Sequence, residues 1–275
     1  MKYYIDTPTD RIYVKLGDEV SNELGITKWE HPVPAYLSGE VKHSPYKFNF
    51  DIENIKKYPH IFQEGEEVIF SEKIHGSCMI VCLVPEQERD PEMIDGKLIV
   101  ISKGLAARQL FFKDNEKNQE NSYVKCAKQK NIAEVLSKFS RNIFDSDVVT
   151  TPIWIVGELY GMQDLKYGAN KGDLQLRVFG IRYGQRWVNW DLVQLISKMC
   201  SLEVAPLLYQ GPFSKQILEK YTTGRETVSG TQSHIREGVV VYPAQERHHV
   251  DVGRVILKSI SEDYLLRKGE TSEFT

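Results

Sequence analysis

The sequence predicts an α+β fold whose sheets are largely antiparallel. Short apolar runs recur along the chain, and amphipathic helical patterns interrupt them at irregular intervals. Strands in runs with long insertions favour this class, because a doubly wound parallel sheet would need strict alternation of strand and helix. The patterns Gly-x-x-x-x-Gly-Lys-Ser/Thr and Gly-x-Gly-x-x-Gly do not occur. A bound nucleotide would therefore have its phosphates held by side chains.

The first 65 residues are predicted to form an N-terminal extension that packs against a main domain of residues 66–275. The extension contains two short alternating runs, a proline-rich connector and the capped start of a short helix before Pro59, at residues 3–5, 11–16, 26–46 and 51–55. These pieces are too short and too interrupted to predict a separate domain.

The main domain is predicted to be rich in strands with helices inserted between them. The predicted strands are residues 67–70, 78–84, 97–101, 152–161, 174–183, 238–242 and 255–258. The predicted helices are residues 121–139, 190–200 and 212–221, and a short helix or tail follows from residue 262.

Composition indicates a globular protein without a strong charge bias. The 275 residues are 41% hydrophobic and carry a formal net charge of −3, so a nucleic-acid surface would have to be a local patch. No run approaches the roughly 18 apolar residues of a membrane span, and no signal peptide is recognised. Cys78 and Cys82 lie in an apolar run, without zinc-ligand spacing. We expect a cytoplasmic protein in a reducing intracellular compartment, with no membrane partner.

The stretch from Ser71 to Ser77 joins two predicted strands and contains Lys73. Its apolar flanks draw the lysine towards the interior, where burial disfavours the ammonium form and lowers a lysine pKa. Such a lysine can act as a nucleophile near neutral pH. The alternative is an exposed lysine on a hairpin, and Lys73 alone does not decide between the two.

Three further charges lie beside apolar runs, namely Glu158, Glu237 and Lys258. Each alone could be a solvated strand end or part of a structural ion pair. Two lysines with two carboxylates, if they converge on one cleft, favour chemistry on phosphate and metal. Carboxylates attract Mg²⁺, whereas lysines neutralise phosphate oxygens and one of them can attack.

The order of these residues resembles the motifs of the covalent nucleotidyltransferases, which are the ATP-dependent ligases and the capping enzymes. Their first motif, Lys-x-Asp-Gly, is matched here by Lys73 to Gly76, with His75 in place of aspartate as in the RNA ligase 2 branch. Five later motifs are resembled, in the family's order, by Ser102–Gly104, Glu158–Gly161, Arg177–Ile181, Glu237–Val240 and Leu257–Ser259.

Two further segments, 163–168 and 25–30, resemble the Deinococcus-type nick-sealing RNA ligases, the RNA ligase 5-like group. The resemblance covers residues 25–267 and implies a nucleotidyltransferase, ATP-grasp-like core of antiparallel sheets flanked by helices. The extension would then be a remnant of an OB-like domain. Ile256 departs from the Lys-x-Lys form of the fifth motif, and Arg254 is the candidate replacement for the missing lysine.

The resemblance implies an ATP-dependent RNA ligase that seals 3′-OH and 5′-phosphate ends at nicks through a lysyl-AMP intermediate. ATP and Mg²⁺ or Mn²⁺ would be its cofactors, a nicked RNA or RNA/DNA duplex its partner, and a monomer its state. A related DNA ligase or capping-type nucleotidyltransferase is one alternative. A nucleotide- or RNA-binding module without catalysis is another, and the missing lysine at Ile256 favours it.

The same resemblance implies roles for individual residues. The catalytic residues would be Lys73, His75, Glu158, Glu237 and Lys258. Further nucleotide contacts would come from Glu72, Gly76, Ser102, Lys103 and Phe179. Glu158 and Glu237 would hold the metal through its water shell, and His75 would bond a metal-bound water or phosphate unless it is a buried structural histidine. Phe179 would stack on adenine unless it belongs to the core. RNA contacts are predicted for Arg108, Lys166 and Arg182, for which a solvated basic surface is the alternative.

Overall fold

A computed structural model of the chain describes residues 3–6, 11–15, 18–26, 32–144, 148–170 and 172–268. The chain divides into two compact units, residues 1–34 and 35–275. The smaller unit contains the antiparallel pair β1 (Tyr3–Asp6) and β2 (Arg11–Val14). Residues 35–65 belong to the larger unit. The division into an N-terminal extension of residues 1–65 and a main domain of residues 66–275 stays a prediction. Positions 27–30 of the upstream motif lie outside the described residues.

Two five-stranded sheets form the framework of the larger unit. The order in sheet I is β12 (Leu207–Pro212), β5 (Glu67–Lys73), β13 (Gly238–Pro243), β16 (Leu257–Ile260) and β4 (Glu53–Asn54). The order in sheet II is β11 (Arg186–Trp187), β10 (Gln175–Tyr183), β9 (Ile153–Tyr160), β6 (Ser77–Leu83) and β7 (Leu98–Ser102). Two small pairs are β3 (Val41–His43) with β8 (Leu110–Phe112), and β14 (His248–His249) with β15 (Gly253–Arg254).

The predicted α+β class is confirmed. The described residues of the larger unit form ten strand pairings, in sheets I and II and the two small pairs. Nine of these are antiparallel, and the pairing of β16 with β4 is parallel. The predicted strands are present with shifted ends. The edge strand β12 was missed, because Leu207–Pro212 contains a glycine and a proline and lacks a strand pattern.

Strands β5 and β6 do not form a hairpin. Although three residues separate them, β5 pairs with β12 and β13 in sheet I, whereas β6 pairs with β7 and β9 in sheet II. The connecting residues 74–76 therefore carry the chain from one sheet to the other. Lys73, the last residue of β5, lies at this crossing, which removes the alternative of a lysine on a hairpin.

Helices occupy the connections between strands. They are α1 (Lys103–Ala107), α2 (Ser122–Gln129), α3 (Ile132–Phe144), α4 (Trp190–Met199), α5 (Lys215–Thr222) and α6 (Glu262–Leu266). The single helix predicted over 121–139 is two helices, because Asn131 between them takes a left-handed backbone conformation (φ 50°) that asparagine tolerates. Within the described residues, no helix combines the length and apolar character needed to cross a membrane.

Alternation along β5 and β13 gives sheet I two different faces. Val68, Phe70, Val239 and Val241 belong to a buried apolar cluster against which Ile217 and Leu218 of α5 pack. The next residues along the same strands point to the other face, since successive strand side chains alternate. That second face carries Ser71, Lys73 and Val240. Period-two patterning therefore directs Ser71 and Lys73 between the sheets, and Val68 and Phe70 towards α5.

His75 is a buried histidine, 3% exposed, in the crossing between the two sheets. Its Nδ1 is 2.9 Å from the hydroxyl of Tyr264 in α6, and its Nε2 is 3.0 Å from Oδ1 of Asp164. Its backbone amide donates to the hydroxyl of Tyr167 at 2.6 Å. Burial lowers the pKa of His75, with Glu237 and Asp164 opposing the shift. Both ring nitrogens thus face protein groups, so the position supports the structural alternative.

Truncating Phe70 should destabilise the protein strongly. Its side chain is fully buried, and its ring centroid is 5.3 Å from that of Tyr209 and 6.1 Å from that of Tyr221. We expect Phe70→Ala to lower the free energy of unfolding by about 3–5 kcal/mol in urea titrations. Tyr36→Ala, at a side chain that is 75% exposed, is the matched control. Equal effects of the two substitutions would contradict the packing described.

His75 should make stability depend on pH. Because its pKa is lower in the folded than in the unfolded state, the unfolded chain binds the proton more readily. The contribution of His75 to the free energy of unfolding is full above the ordinary histidine pKa of about 6.5, and it decreases as the pH falls below that value. We expect His75→Gln to flatten the fall in unfolding free energy between about pH 7 and pH 5.5. The exposed His248→Gln should keep the wild-type slope, and an unchanged slope in His75→Gln would refute this assignment.

Candidate active site

A cavity of about 250 Å³ lies between the two sheets. Sheet I contributes Ser71, Glu72, Lys73, Val240 and Lys258; sheet II contributes Cys78, Glu158 and Phe179; the remaining lining residues are Phe50, Asp51, Ile52, Ile74, Gly76, Lys103 and Ala205. The cavity thus brings together seven of the residues predicted from the sequence as nucleotide contacts, although they are scattered from residue 72 to residue 258.

Lys73 and Glu237 form a close ion pair at the base of this cavity. The distance from Lys73 Nζ to Glu237 Oε1 is 2.6 Å, and the two side chains are 15% and 0% exposed. The register of β5 with β13 explains the pair, because Lys73 lies opposite Gly238, the neighbour of Glu237. An adjacent carboxylate favours the charged ammonium, whereas burial disfavours it. A change in the charge near Glu237 would change how strongly this carboxylate stabilises the ammonium of Lys73. It would therefore change how readily Lys73 loses its proton.

Lys258 lies on the same face of sheet I as Lys73. In the register of the sheet, Val240 pairs with Ser71 on one side and with Lys258 on the other. Directly paired residues point to the same face, so Lys258 and Ser71 both face the cavity. Two half-buried ammonium groups consequently line one wall of a single small cavity. This is the charge that a polyphosphate requires of its binding site.

Glu158 faces Lys73 from sheet II. It is half-buried in β9, where its direct partners are Cys78 and Arg177. Gly76 is the residue that lets the chain come so close to β9. A Cβ at position 76 would collide with the carbonyl oxygen of Leu159 and would lie 2.9 Å from Glu158 Cγ. In this structure, only glycine fits at position 76 of the first motif without a steric clash with β9.

Phe179 reaches the cavity through a β-bulge. In the pairing of β10 with β9, Val178 is opposite Gly157 and Gly180 is opposite Val156. Phe179, between them, therefore has no opposite residue in β9. A bulge redirects the side chain of the extra residue. The ring of Phe179 is stacked on that of Phe50, with centroids 6.0 Å apart and planes at 27°. These rings provide an aromatic surface against which a planar base can pack.

Glu72 is a buried carboxyl group at the same end of β5. Its Oε2 accepts hydrogen bonds from the amide and the hydroxyl of Thr227, at 2.8 and 2.6 Å, and lies 3.8 Å from Nε of Arg236. Its Oε1 is buried and has no hydrogen-bond partner among the described residues. Burial raises the pKa of Glu72, against the hydrogen bonds from Thr227. The carboxyl group can therefore either accept or donate a hydrogen bond to a polar ligand edge.

The mouth of the cavity carries Lys103 and Asp51, which form an ion pair of 2.6 Å. Burial raises the pKa of Asp51, but the hydrogen bond from Lys103 and its charge lower it more, and the net direction is down. Ser102 accepts a hydrogen bond from the amide of Leu105 as the N-cap of α1, so it positions Lys103. The sequence analysis did not predict that Phe50, Asp51 and Ile52 line the cavity. The alternating aromatic residues Phe48 and Phe50 are the sequence feature that could have indicated a buried segment here.

Six predicted residues do not line the cavity. Glu237 lies behind Lys73 and Ser102 caps α1, and the other four are His75, Arg108, Lys166 and Arg182. His75 has its ring in the network described above, and Arg108 and Lys166 are exposed. Arg182 is 8% exposed, with its guanidinium carbon 4.5 Å from the ring centroid of Phe48 and 5.1 Å from that of Trp154. A guanidinium enclosed by aromatic rings presents no surface to a nucleic-acid strand, so its position argues against the predicted RNA contact.

Arg254 does not replace the lysine missing at position 256. Its guanidinium carbon is 3.8 Å from the ring centroid of Trp187, and its side chain forms a bidentate ion pair with Glu246, with an Nε–Oε2 distance of 3.0 Å. The side chain of Ile256 is buried, at 1% exposed. The predicted compensation by Arg254 is therefore wrong, and Lys258 is the fifth-motif cation that reaches the cavity.

The oxygen donors at the site suit a hard divalent cation. Glu158 lines the cavity, and Glu237 lies behind Lys73 with its Oε2 buried and without a hydrogen-bond partner among the described residues. Magnesium and manganese prefer carboxylate oxygens and retain several waters. Two carboxylates, two ammonium groups and an aromatic wall form a set that can bind a nucleotide and place an amine beside its phosphates.

The fold is shared with solved RNA ligase structures. An alanine variant of the Naegleria gruberi RNA ligase with ATP and Mn aligns at 20% identity and a TM-score of 0.58, covering 92% of this chain and 68% of that one. A variant of the same protein with AMP and Mn gives 20% identity, a TM-score of 0.60 and coverages of 91% and 67%. The complex of the same ligase with PPi aligns at 19% identity and a TM-score of 0.59, covering 95% of this chain and 78% of that one. No curated protein matches the chain.

A family model described as RNA ligase matches residues 66–260. The matched segment contains β5 to β16 and, with them, every predicted catalytic residue from Lys73 to Lys258. It covers well over half of the chain, and the solved structures share the arrangement of its sheets. The chain belongs to the RNA ligase family.

Proposed function

We propose that this protein is an ATP-dependent RNA ligase that joins 3′-OH and 5′-phosphate ends through a lysyl-AMP intermediate. The observation that carries the proposal is the position of Lys73. Its side chain is 15% exposed, its amine pairs with Glu237 at 2.6 Å, and it lines a cavity that also contains Lys258, Glu158 and an aromatic wall. The presence of ATP or AMP with Mn in the solved Naegleria gruberi ligases supports this choice of substrate and metal.

The first step would be attack of Lys73 on the α-phosphorus of ATP. A bond forms from Nζ to phosphorus, the bond from that phosphorus to the bridging oxygen of the β-phosphate breaks, and pyrophosphate leaves. The ammonium must lose its proton before attack, and the adjacent Glu237 is the group that controls this loss. Lys258 faces the same cavity and would neutralise charge on the phosphate oxygens as the leaving group departs.

Glu158 and Glu237 are the residues that would hold a divalent cation, directly or through its waters. Such a cation supplies charge neutralisation for the triphosphate. Phe179 and Phe50 would enclose the adenine, and Glu72 would hydrogen bond its polar edge. Lys103, at the mouth of the cavity, would contact the ribose or the incoming RNA.

The later steps would transfer AMP to an RNA 5′-phosphate and then seal the strand. A 5′-phosphate oxygen bonds to the AMP phosphorus as the bond to Nζ breaks, and a 3′-oxygen then displaces AMP from the activated phosphate. We propose a nicked RNA or RNA/DNA duplex as substrate and a cytoplasmic monomer as the working form. Histidine in the first motif supports placement with the RNA ligase 2 branch, and segment 163–168 supports the related Deinococcus-type ligases.

Replacing Lys73 should abolish the covalent adduct. With α-labelled ATP and Mg²⁺, we expect the wild-type protein to acquire covalent label that is stable in alkali and labile in hot acid, as a phosphoramidate is, with AMP located on the peptide containing residue 73 by mass spectrometry. Lys73→Ala and Lys73→Arg should acquire none, because neither provides an amine that can lose its proton near neutral pH. The matched control is Lys125→Ala, at a lysine of α2 that pairs with Glu120.

The same assay separates the alternatives. Label from GTP in place of ATP would point to a capping-type transferase, and adduct without joining of a nicked RNA duplex would refute the ligase function. Binding of ATP with no adduct in the wild-type protein would support a binding module instead.

Removing the ring of Phe179 should weaken nucleotide binding more than chemistry. Base–aromatic stacking is worth about 1–3 kcal/mol, so Phe179→Ala should raise KM for ATP in adduct formation by about 5- to 150-fold with a smaller change in the maximal rate. Phe179→Tyr keeps a ring and should remain close to wild type. If Phe179→Ala and Phe179→Tyr have the same KM as the wild type, the bulge does not serve the nucleotide.

A further inference from the structure

A second group of metal-ligating side chains lies outside the cavity. It consists of His60, which follows the 3₁₀ turn Ile55–Lys57, His249 in β14, and Asp251 in the turn between β14 and β15. Each offers one ligand atom, and these atoms all lie within 4.8 Å of one another. None of the three lines the nucleotide cavity. The fold brings them together although 191 positions separate His60 from Asp251.

The distances in this group are close to those of a tetrahedral site. His60 Nε2 is 2.8 Å from Asp251 Oδ2, and His249 Nδ1 is 3.7 Å from the same oxygen. Ligand atoms about 2.0–2.1 Å from a tetrahedral zinc ion are about 3.4 Å from each other. The two observed distances lie on either side of that value, so shifts of about half an ångström would bring both to it.

The hydrogen bonding of His249 also suits a metal ligand. Its Nδ1 accepts a hydrogen bond from the backbone amide of Asp251 at 3.2 Å, so the lone pair of this nitrogen is directed towards Asp251. A metal ion at that nitrogen would take the place of this hydrogen bond. Metal ligation requires neutral imidazole, and the nitrogen that bears the lone pair is the one that coordinates.

The nearby positive charges are already paired. Arg247 lines the same surface recess as His60 and His249, but its guanidinium binds both carboxylate oxygens of Glu66, at 2.8 and 3.1 Å. Arg254, which lies opposite His248 across the hairpin, is paired with Glu246. These two cationic side chains are therefore balanced by carboxylates. Each of the three ligand side chains is at least one-third exposed, which gives an ion a path from solvent.

We propose that His60, His249 and Asp251 bind one Zn²⁺ ion, with water as the fourth ligand. Two imidazole nitrogens and one carboxylate oxygen form a donor set that zinc accepts in four-coordinate sites, whereas magnesium prefers oxygen alone. The ion would join the segment that follows β4 to the β14–β15 hairpin. β4 pairs with β16, and the hairpin leads into β16, so the ion would fix both approaches to the strand that carries Lys258.

The test is zinc binding by the full-length chain after treatment with a chelator. Isothermal titration with ZnCl₂ in excess Mg²⁺ should show about one site, because Mg²⁺ saturates the oxygen ligands of the nucleotide cavity but competes poorly for imidazole. At roughly a hundredfold excess of Zn²⁺ over the Kd, the melting temperature should rise by about 5–10 °C. Cobalt(II) in place of zinc should give the visible absorption bands of a tetrahedral site.

Matched variants decide whether these residues are the ligands. His60→Ala, His249→Ala and Asp251→Asn should each weaken Zn²⁺ binding at least tenfold and abolish the rise in melting temperature. His248→Ala, one position away on the same strand, should bind as the wild type does. Asp251→Asn keeps the size of the side chain, so it reports on ligation even if a histidine variant folds poorly. Zinc binding that is absent, or equal in Asp251→Asn and the wild type, would overturn the proposal.

Discussion

The structure depends on holding one amine between two sheets beside a fully buried carboxylate. Lys73 is the last residue of β5, and the chain then crosses at once into the other sheet, so the lysine cannot move away from the cavity. Glu237 has no exposed surface and bonds the amine at 2.6 Å. A buried carboxylate is costly unless it is paired, and a buried ammonium likewise. The pair therefore stabilises both groups at the position where the chemistry would occur.

Three local features shape the cavity beside this pair. Alternation along sheet I directs Lys258 and Lys73 to the same face, while Phe70 and its neighbours pack under α5. The absence of a Cβ at Gly76 lets the crossing lie against β9 and Glu158. The bulge in β10 frees Phe179 from the strand ladder and turns it into the cavity. Each feature is a backbone constraint, and together they define the space between two lysine side chains and an aromatic wall.

Much of this could be predicted from the sequence, and the rest depends on contacts that sequence patterns do not encode. Apolar runs located the long strands, and motif order gathered Lys73, Glu158, Phe179 and Lys258. Periodicity could not show that β5 and β6 belong to different sheets, because a three-residue connection is also typical of a hairpin. It could not show that His75 and Arg254 have protein partners, since Tyr264 is 189 positions from His75 and Glu246 reaches Arg254 only through the β14–β15 hairpin. The contribution of Phe50–Ile52 was hidden because their segment has little regular structure.

The proposed chemistry requires the cavity between the sheets to hold Lys73 beside the α-phosphorus of ATP. A crystal structure with Mn²⁺ and an ATP analogue whose α–β bridge is a methylene group, which prevents departure of pyrophosphate, would show this directly. We expect Lys73 Nζ to lie about 3–3.5 Å from the α-phosphorus, opposite the bridge, with the adenine against Phe179. An analogue bound in another recess, or with its α-phosphate out of reach of Lys73, would contradict it.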